Sequence, residues 1–133
     1  MLSISPLTRI VHIMDTTQLL LRLAVGLGLL YVWLFRFAKP SPYRGGVAND
    51  MVEEFSEYGL PQRLVWIVGS LKVTAAVALI LSIFIPWLTL PATALISILM
   101  AGAIAMHIRI KDRLIKSVPA ATLLVMTLVV AAT

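Results

Sequence analysis

Residues 61–85 read PQRLVWIVGSLKVTAAVALILSIFI, and the reading of this stretch decides the fold. Beyond Arg63 near its start, the only charge in it is Lys72. At about 1.5 Å per residue a helix of this length exceeds the roughly 30 Å hydrocarbon core of a bilayer, so the stretch reads as a membrane span. Working outward, three more apolar runs of similar kind appear, at about 17–37, 89–108 and 117–133. The whole chain fits this pattern: 133 residues, 60% hydrophobic and 13% charged, with mean hydropathy +0.99. Soluble domains carry about 25% charged residues. The expected fold class is therefore all-α: one membrane domain, residues 1–133, built as an antiparallel bundle of four transmembrane helices.

The connections are read from their breakers. Pro40, Ser41, Pro42, Gly45 and Gly46 end helical order after the first span. A short amphipathic helix is expected at Asp50–Tyr58: Asp50 and Glu53 fit a capping box, Met51, Val52, Phe55 and Tyr58 share an apolar side, and Gly59 with Pro61 supplies the stop. Its Glu53, Glu54 and Glu57 are expected to form a solvated face. The stretch from Pro86 to Pro91 leaves room only for a tight hairpin between the second and third spans. Pro119 suits the first turn of the fourth. Ahead of the first span, Pro6 opens a short interfacial helix with Leu7, Ile10, Val11 and Met14 at helical spacing. Arg22 interrupts the first apolar run and no small-residue cleavage site follows it, so the run is expected to remain as a span.

The charge pattern fixes an expected orientation and removes several functions. Arg36, Lys39, Arg44, Arg63, Arg109, Lys111, Arg113 and Lys116 fall on one side of the bundle, with Arg9 and Arg22 on the other. The positive-inside rule then places both termini outside the cytoplasm, in a bacterial inner membrane. The net charge of +5 forms no basic stripe with interleaved aromatics, so nucleic acid is not an expected partner. Anionic lipid is. With no cysteine, thiol redox chemistry and disulfides are absent. A proton-coupled cation exporter would need a carboxylate within the membrane, and all six carboxylates lie outside the spans.

Lys72 is the most informative residue. It lies roughly 16 Å of helix from the nearer interface, too far for a lysine to snorkel. A charge at that depth costs about 2.5–3.5 kcal/mol on insertion scales, which makes it a candidate functional group. With no carboxylate in the spans, its amine is either neutral and hydrogen-bonded within the chain, as to Ser97 or Thr127, or satisfied from outside. A ligand oxygen, a lipid head or a partner subunit's acid would serve. Gly69 shares its helix face, and Ser97 of the third span falls at the same depth. Ser97, Ala101 and Ala105 form a small-residue row suited to close helix packing. His107 ends the third span on the basic side, where it is expected to sit among headgroups, titrate near neutral pH or hold a carbonyl oxygen. Arg22 is expected to snorkel to the near interface. The candidate ligand-binding set is thus Lys72, Ser97, His107 and Gly69, with no metal ligands.

The segments Leu21-Arg22-Leu23-Ala24-Val25-Gly26, Phe55-Ser56-Glu57-Tyr58-Gly59-Leu60-Pro61, Val68-Gly69-Ser70-Leu71-Lys72 and Met100-Ala101-Gly102-Ala103-Ile104-Ala105-Met106-His107 resemble, in order and spacing, the DoxX-like membrane proteins. The resemblance implies a four-helix membrane bundle, with Gly69, Lys72 and His107 at positions that carry the family's motif. It also implies a range of roles: subunits of thiosulfate:quinone oxidoreductase, components of membrane oxidoreductase complexes, and assembly chaperones for membrane proteins. Many members have glutamate where Lys72 stands, so a function requiring that carboxylate is not implied. The reading that follows is an auxiliary membrane protein that binds an apolar, oxygen-bearing ligand, a quinone or lipid, near Lys72 and Ser97. The competing one is an assembly or interaction protein whose Lys72 meets a carboxylate of a partner membrane subunit, whereas a homo-oligomer holding a small molecule would fit the first.

Overall fold

The computed structural model describes the backbone of residues 6–133 and the side chains of residues 16–133. Among the described residues there are five α-helices: α1 (Pro6–Phe35), α2 (Met51–Glu57), α3 (Gln62–Leu81), α4 (Thr89–Arg109) and α5 (Val118–Ala132). Four stretches are long and apolar enough to cross a membrane: Thr16–Phe35, Gln62–Leu81, Pro86–Arg109 and Leu114–Ala132. Most of their large side chains point outward, including Leu20, Leu34, Phe84, Trp87, Leu90 and Ile98, each more than half exposed. Such a surface suits lipid rather than water. The chain is an integral membrane protein of four helical spans.

The span boundaries follow local chemistry. α1 starts at Pro6, as the ring's fixed φ favours, but it runs unbroken into the first span instead of forming a separate helix. The side-chain spacing of Leu7, Ile10, Val11 and Met14 lies outside the described residues. α3 stops at Leu81, short of Ile85, because Pro86 disfavours helical backbone in the residue before it. Residues Pro86–Leu88 form one 3₁₀ turn that leads directly into α4. At α2, Asp50 Oδ1 accepts from the Glu53 amide at 2.8 Å. Glu53 Oε2 reaches back to the Asn49 amide at 2.6 Å, one residue earlier than a standard capping box. Gly59, at φ +77°, turns the chain so that Leu60 N donates to Phe55 O and Gly59 N to Ser56 O, which closes α2.

The four spans pack in a ring: α1 on α3, α3 on α4, α4 on α5, and α5 back on α1. The core is made by Val25, Leu29, Ala75, Ala76, Leu79, Ala92, Ile96, Met100 and Val130. In lipid, helices gain little from burying apolar surface, so close approach depends on small residues. Gly26 provides it at the α1–α3 contact, where a Cβ would lie 2.6 Å from Ile80 Cγ1. The row on α4 does not: Ala101 and Ala105 are exposed on the outer face, and the buried side is carried by Ala92, Thr93, Ile96 and Met100. A second cluster of Trp33, Met51, Phe55 and Val65 fastens α2 against the ends of α1 and α3.

At the other end of the bundle Arg22 makes the main polar clasp. One terminal nitrogen donates to Ser82 O at 3.1 Å, Ser82 Oγ at 3.0 Å and Thr89 Oγ1 at 3.1 Å, and Gln18 Oε1 accepts from the other at 3.3 Å. Its head therefore ends in hydrogen bonds to the α3–α4 hairpin rather than among headgroups. Arg22→Leu removes bonds to a charged donor, each worth about 1.5–3 kcal/mol. We expect a loss of about that size in unfolding free energy, read from denaturant titration in mixed micelles. An unchanged midpoint would show that Arg22 is satisfied equally well by solvent.

Candidate functional site

Lys72 owes its surroundings to one turn of α3. Gly69 and Lys72 are three residues apart and so share a face. A Cβ on Gly69 would lie 2.5 Å from Trp33 Cζ3, so the absence of a side chain there is what lets the indole lie against α3. Trp33 is further fixed by Phe37, at 5.6 Å between ring centroids, and by the edge of Phe55 at 6.4 Å. The Lys72 ammonium lies 5.3 Å from the centre of the Trp33 ring, within cation–π range. Among the described residues it enters none of the ion pairs, which are Arg44–Glu54, His107–Asp112 and Lys116–Asp112. It also makes no hydrogen bond to them.

Lys72 lines a cavity of about 620 Å³. Leu29, Val68, Leu99, Met100 and Leu123 supply an apolar body, whereas Arg44, Glu54, Tyr58 and His107 line a polar end. Tyr31 and Ile98 also line it and are themselves exposed on the outside of the bundle, so the cavity reaches the lipid-facing surface. His107 lies in the lining with Lys72. Ser97 does not, and Gly69 borders a separate groove on the α1–α3 side, beneath Trp33.

The polar end is built by the two connections on the side rich in Lys and Arg. Arg44, 6% exposed, donates to Lys39 O and Phe37 O at the end of the first span, and to Glu54 Oε2 at 2.9 Å. Glu54 also accepts from the Gly45 amide at 3.1 Å and from the Tyr58 hydroxyl at 2.7 Å. The expected solvated acidic face is thus corrected for Glu54: its carboxylate is 12% exposed and turned inward, because Arg44 and Tyr58 outcompete water for it. Burial and the Glu54 charge push the Tyr58 hydroxyl far above the usual phenol range, so it stays protonated. Tyr58 fits only because Gly45 has no side chain; a Cβ there would lie 2.5 Å from the ring.

His107 is 5% exposed, a buried residue and not one sitting among headgroups. Its Nε2 lies 3.3 Å from the Tyr58 hydroxyl and its Nδ1 2.8 Å from Asp112 Oδ2. The end of α4 produces this contact. Lys111 takes up φ 58°, Lys111 N donates to Ile108 O and Asp112 N to His107 O, and the reversal folds Asp112 back over the imidazole. A non-glycine residue in this left-handed region costs about 1 kcal/mol or more. Burial raises the Asp112 carboxyl, but hydrogen bonds from His107 and the Gly46 amide, with the nearby Lys116 charge, outweigh it and hold the group below its ordinary value. Lys116 ties the two connections together by donating to Gly46 O at 2.6 Å.

Of the residues singled out in the sequence, Lys72 and His107 line one cavity; Trp33, Arg44, Glu54 and Tyr58, which line it with them, and Asp112, which meets His107, were not among that set. The sequence carried only two signals for them: the Gly-x-x-Lys step facing a tryptophan, and Glu54 and Tyr58 four residues apart on α2.

The model of the DoxX-like family matches residues 42–132, and the chain belongs to that family. The match takes in α2–α5, hence Gly69, Lys72 and His107, and leaves out the first-span segment Leu21–Gly26. No curated protein and no solved structure matches the chain.

The Asp112 shift has a defined sign. A folded value below the unfolded one means the unfolded chain binds more protons, so Asp112 stabilises the fold above its ordinary value of 3.8 and ceases to do so as pH falls below it. We expect unfolding midpoints in detergent to drop in acid below about pH 4. Asp112→Asn should be less stable than wild type at pH 7 and should lack that component of the acid loss. Parallel pH curves for the two proteins would contradict the assignment.

Proposed function

We propose that this member of the DoxX-like family binds an apolar, oxygen-bearing molecule of the bilayer, a quinone or a lipid, with Lys72 as the group that recognises its oxygen. One observation supports the reading: Lys72 lines a largely apolar cavity, and its amine makes no hydrogen bond to any described residue. An ammonium has three donors, and the face of Trp33 engages the charge without accepting a conventional hydrogen bond. A ligand oxygen would supply the acceptor. The apolar body of the cavity suits a hydrocarbon or ring system, and its reach to the bundle's outer surface gives a membrane-dissolved molecule a way in. Small-molecule sites share this character, apolar walls with a few convergent polar groups. The protein then acts as an auxiliary or ligand-holding subunit. Gly69 serves by seating Trp33, and Ser97 has no part.

The competing reading, a partner subunit's carboxylate on Lys72, finds less support, because Lys72 lines the cavity and its amine lies beside Trp33. On the positive-inside tally, the polar end of the cavity would face the cytoplasm.

A hydrogen bond to a charged group is worth about 1.5–3 kcal/mol, or roughly 10- to 100-fold in affinity. Lys72→Met keeps the side chain's length and removes the charge from the membrane. We expect the variant to fold at least as stably as wild type, and to retain at least about tenfold less quinone or lipid when purified from native membranes. Extraction and mass spectrometry of the bound molecules measure this. Equal retention by the two proteins would defeat the proposal, and a stoichiometric protein partner lost with Lys72 would favour assembly instead.

A further inference from the structure

Apart from the Lys72 cavity, the α1–α3 side of the bundle carries a groove of about 750 Å³. Its lining is strongly aromatic: Trp33 and Phe35 of α1, Phe37 just past it, and Trp66 of α3. The Phe37 and Trp66 rings stack, 5.6 Å apart and inclined by 21°. Phe35 and Trp66 are more than half exposed, so the groove opens on the lipid-facing surface. Two properties narrow what can occupy it. The first is depth. Along α3 the lining runs from Trp66 to Thr74 and no further, although the helix continues to Leu81. Thr74 lies roughly 18 Å along the axis from Gln62, where α3 begins, and that is close to half of a roughly 30 Å hydrocarbon core. The groove therefore has the depth of one leaflet, whereas a partner helix would need a track through both. The second property is charge. Lys39 completes the lining at the shallow end, past the end of α1. It is exposed, and its ammonium enters none of the ion pairs or side-chain hydrogen bonds among the described residues. Arg63, three residues before Trp66 and so on the same face of α3, is exposed and likewise outside those pairs. A second copy packed symmetrically on this face would bring these cations against their own counterparts.

We propose that this groove seats an anionic phospholipid of the leaflet on the basic side, with an acyl chain along the aromatic wall down to Thr74 and the head against Lys39. The chain contributes apolar contact that any phospholipid offers, and Lys39 supplies the preference for a net negative head. A single lysine near the membrane surface favours an anionic lipid by about fivefold. The positive-inside tally puts the anionic leaflet on this same side. The site is separate from the cavity and does not depend on what the cavity holds. The two spaces share Trp33, so a chain in the groove touches the ring that lies beside Lys72.

The test uses tryptophan fluorescence of the full chain in phosphatidylcholine nanodiscs. The chain has three tryptophans. Two line the groove, and Trp87→Phe silences the third, in the turn between α3 and α4. A fraction of the host lipid is replaced by phosphatidylglycerol or by phosphatidylcholine, each brominated midway along its acyl chains, and quenching is followed against that fraction. We expect phosphatidylglycerol to quench with an apparent affinity about fivefold above that of phosphatidylcholine. Lys39→Gln should bring the two lipids to parity while leaving quenching by phosphatidylcholine as it was. Ser70→Phe, at an exposed position of the lining, should fill the groove and weaken quenching by both lipids. Equal quenching by the two lipids in the parent protein would overturn the proposal, as would an undiminished preference in Lys39→Gln. Quenching by neither lipid, together with a dimer by cross-linking, would also overturn it and give the groove to a second copy.

Discussion

An ammonium carried midway along a membrane helix is costly unless something around it replaces water, and the architecture on the basic side of the bundle meets that demand. Lys72 is given the face of Trp33. Trp33 is given a flat seat on Gly69 and is braced by Phe37 and Phe55. Phe55 belongs to α2, and α2 is fixed to the bundle by its apolar face, by Met51 N donating to Phe37 O, and by the Arg44–Glu54 pair. Remove any one of these and the next loses its support. The chain of dependence runs from a glycine on α3 to an ion pair in the loop, with the lysine as its beneficiary.

The Arg44–Glu54 pair solves a second problem of the membrane, that of irregular backbone close to hydrocarbon. The carbonyls just past the end of α1 have no helical partner, and lipid offers none. Arg44 takes those of Phe37 and Lys39, and its charge suits the negative end of the helix dipole. Glu54 neutralises it, and Tyr58 and the Gly45 amide complete the carboxylate. Among the described residues no buried side-chain nitrogen or oxygen lacks a hydrogen-bond partner.

The four spans, the hairpin at Pro86 and the capped helix α2 were legible because each rests on local chemistry: hydropathy, proline geometry, and the Asp50–Glu53 and Gly59 caps. Lys72 was legible because depth in a span is a one-dimensional property. The polar end was not. Glu54 reads as one of three acids on a short helix, and only the third dimension separates it from Glu53, which caps, and Glu57, which stays outside. His107 and Asp112 are five residues apart, a spacing without meaning on a continuous helix. Their contact depends on Lys111 adopting a left-handed conformation that no glycine announces. The small-residue row on α4 misled for a related reason: Ser97, Ala101 and Ala105 have the right period for packing, but period alone does not say which face turns inward.

The two ends of the bundle make the distinction between structural and available charge concrete. Arg22 donates to four oxygens and binds α1 to the α3–α4 hairpin; Arg44 donates to the α1 terminus and Glu54. Both arginines use the planar, many-donor guanidinium for what it does best, fixing several acceptors at once. Lys72 is the opposite choice: a single flexible point charge, placed where the helices leave space. If its task were to hold helices together, a guanidinium or an in-chain acceptor would serve better. A lysine beside an aromatic ring in the lining of an apolar cavity fixes no set of acceptors, and the face of Trp33 is what the structure sets against its charge.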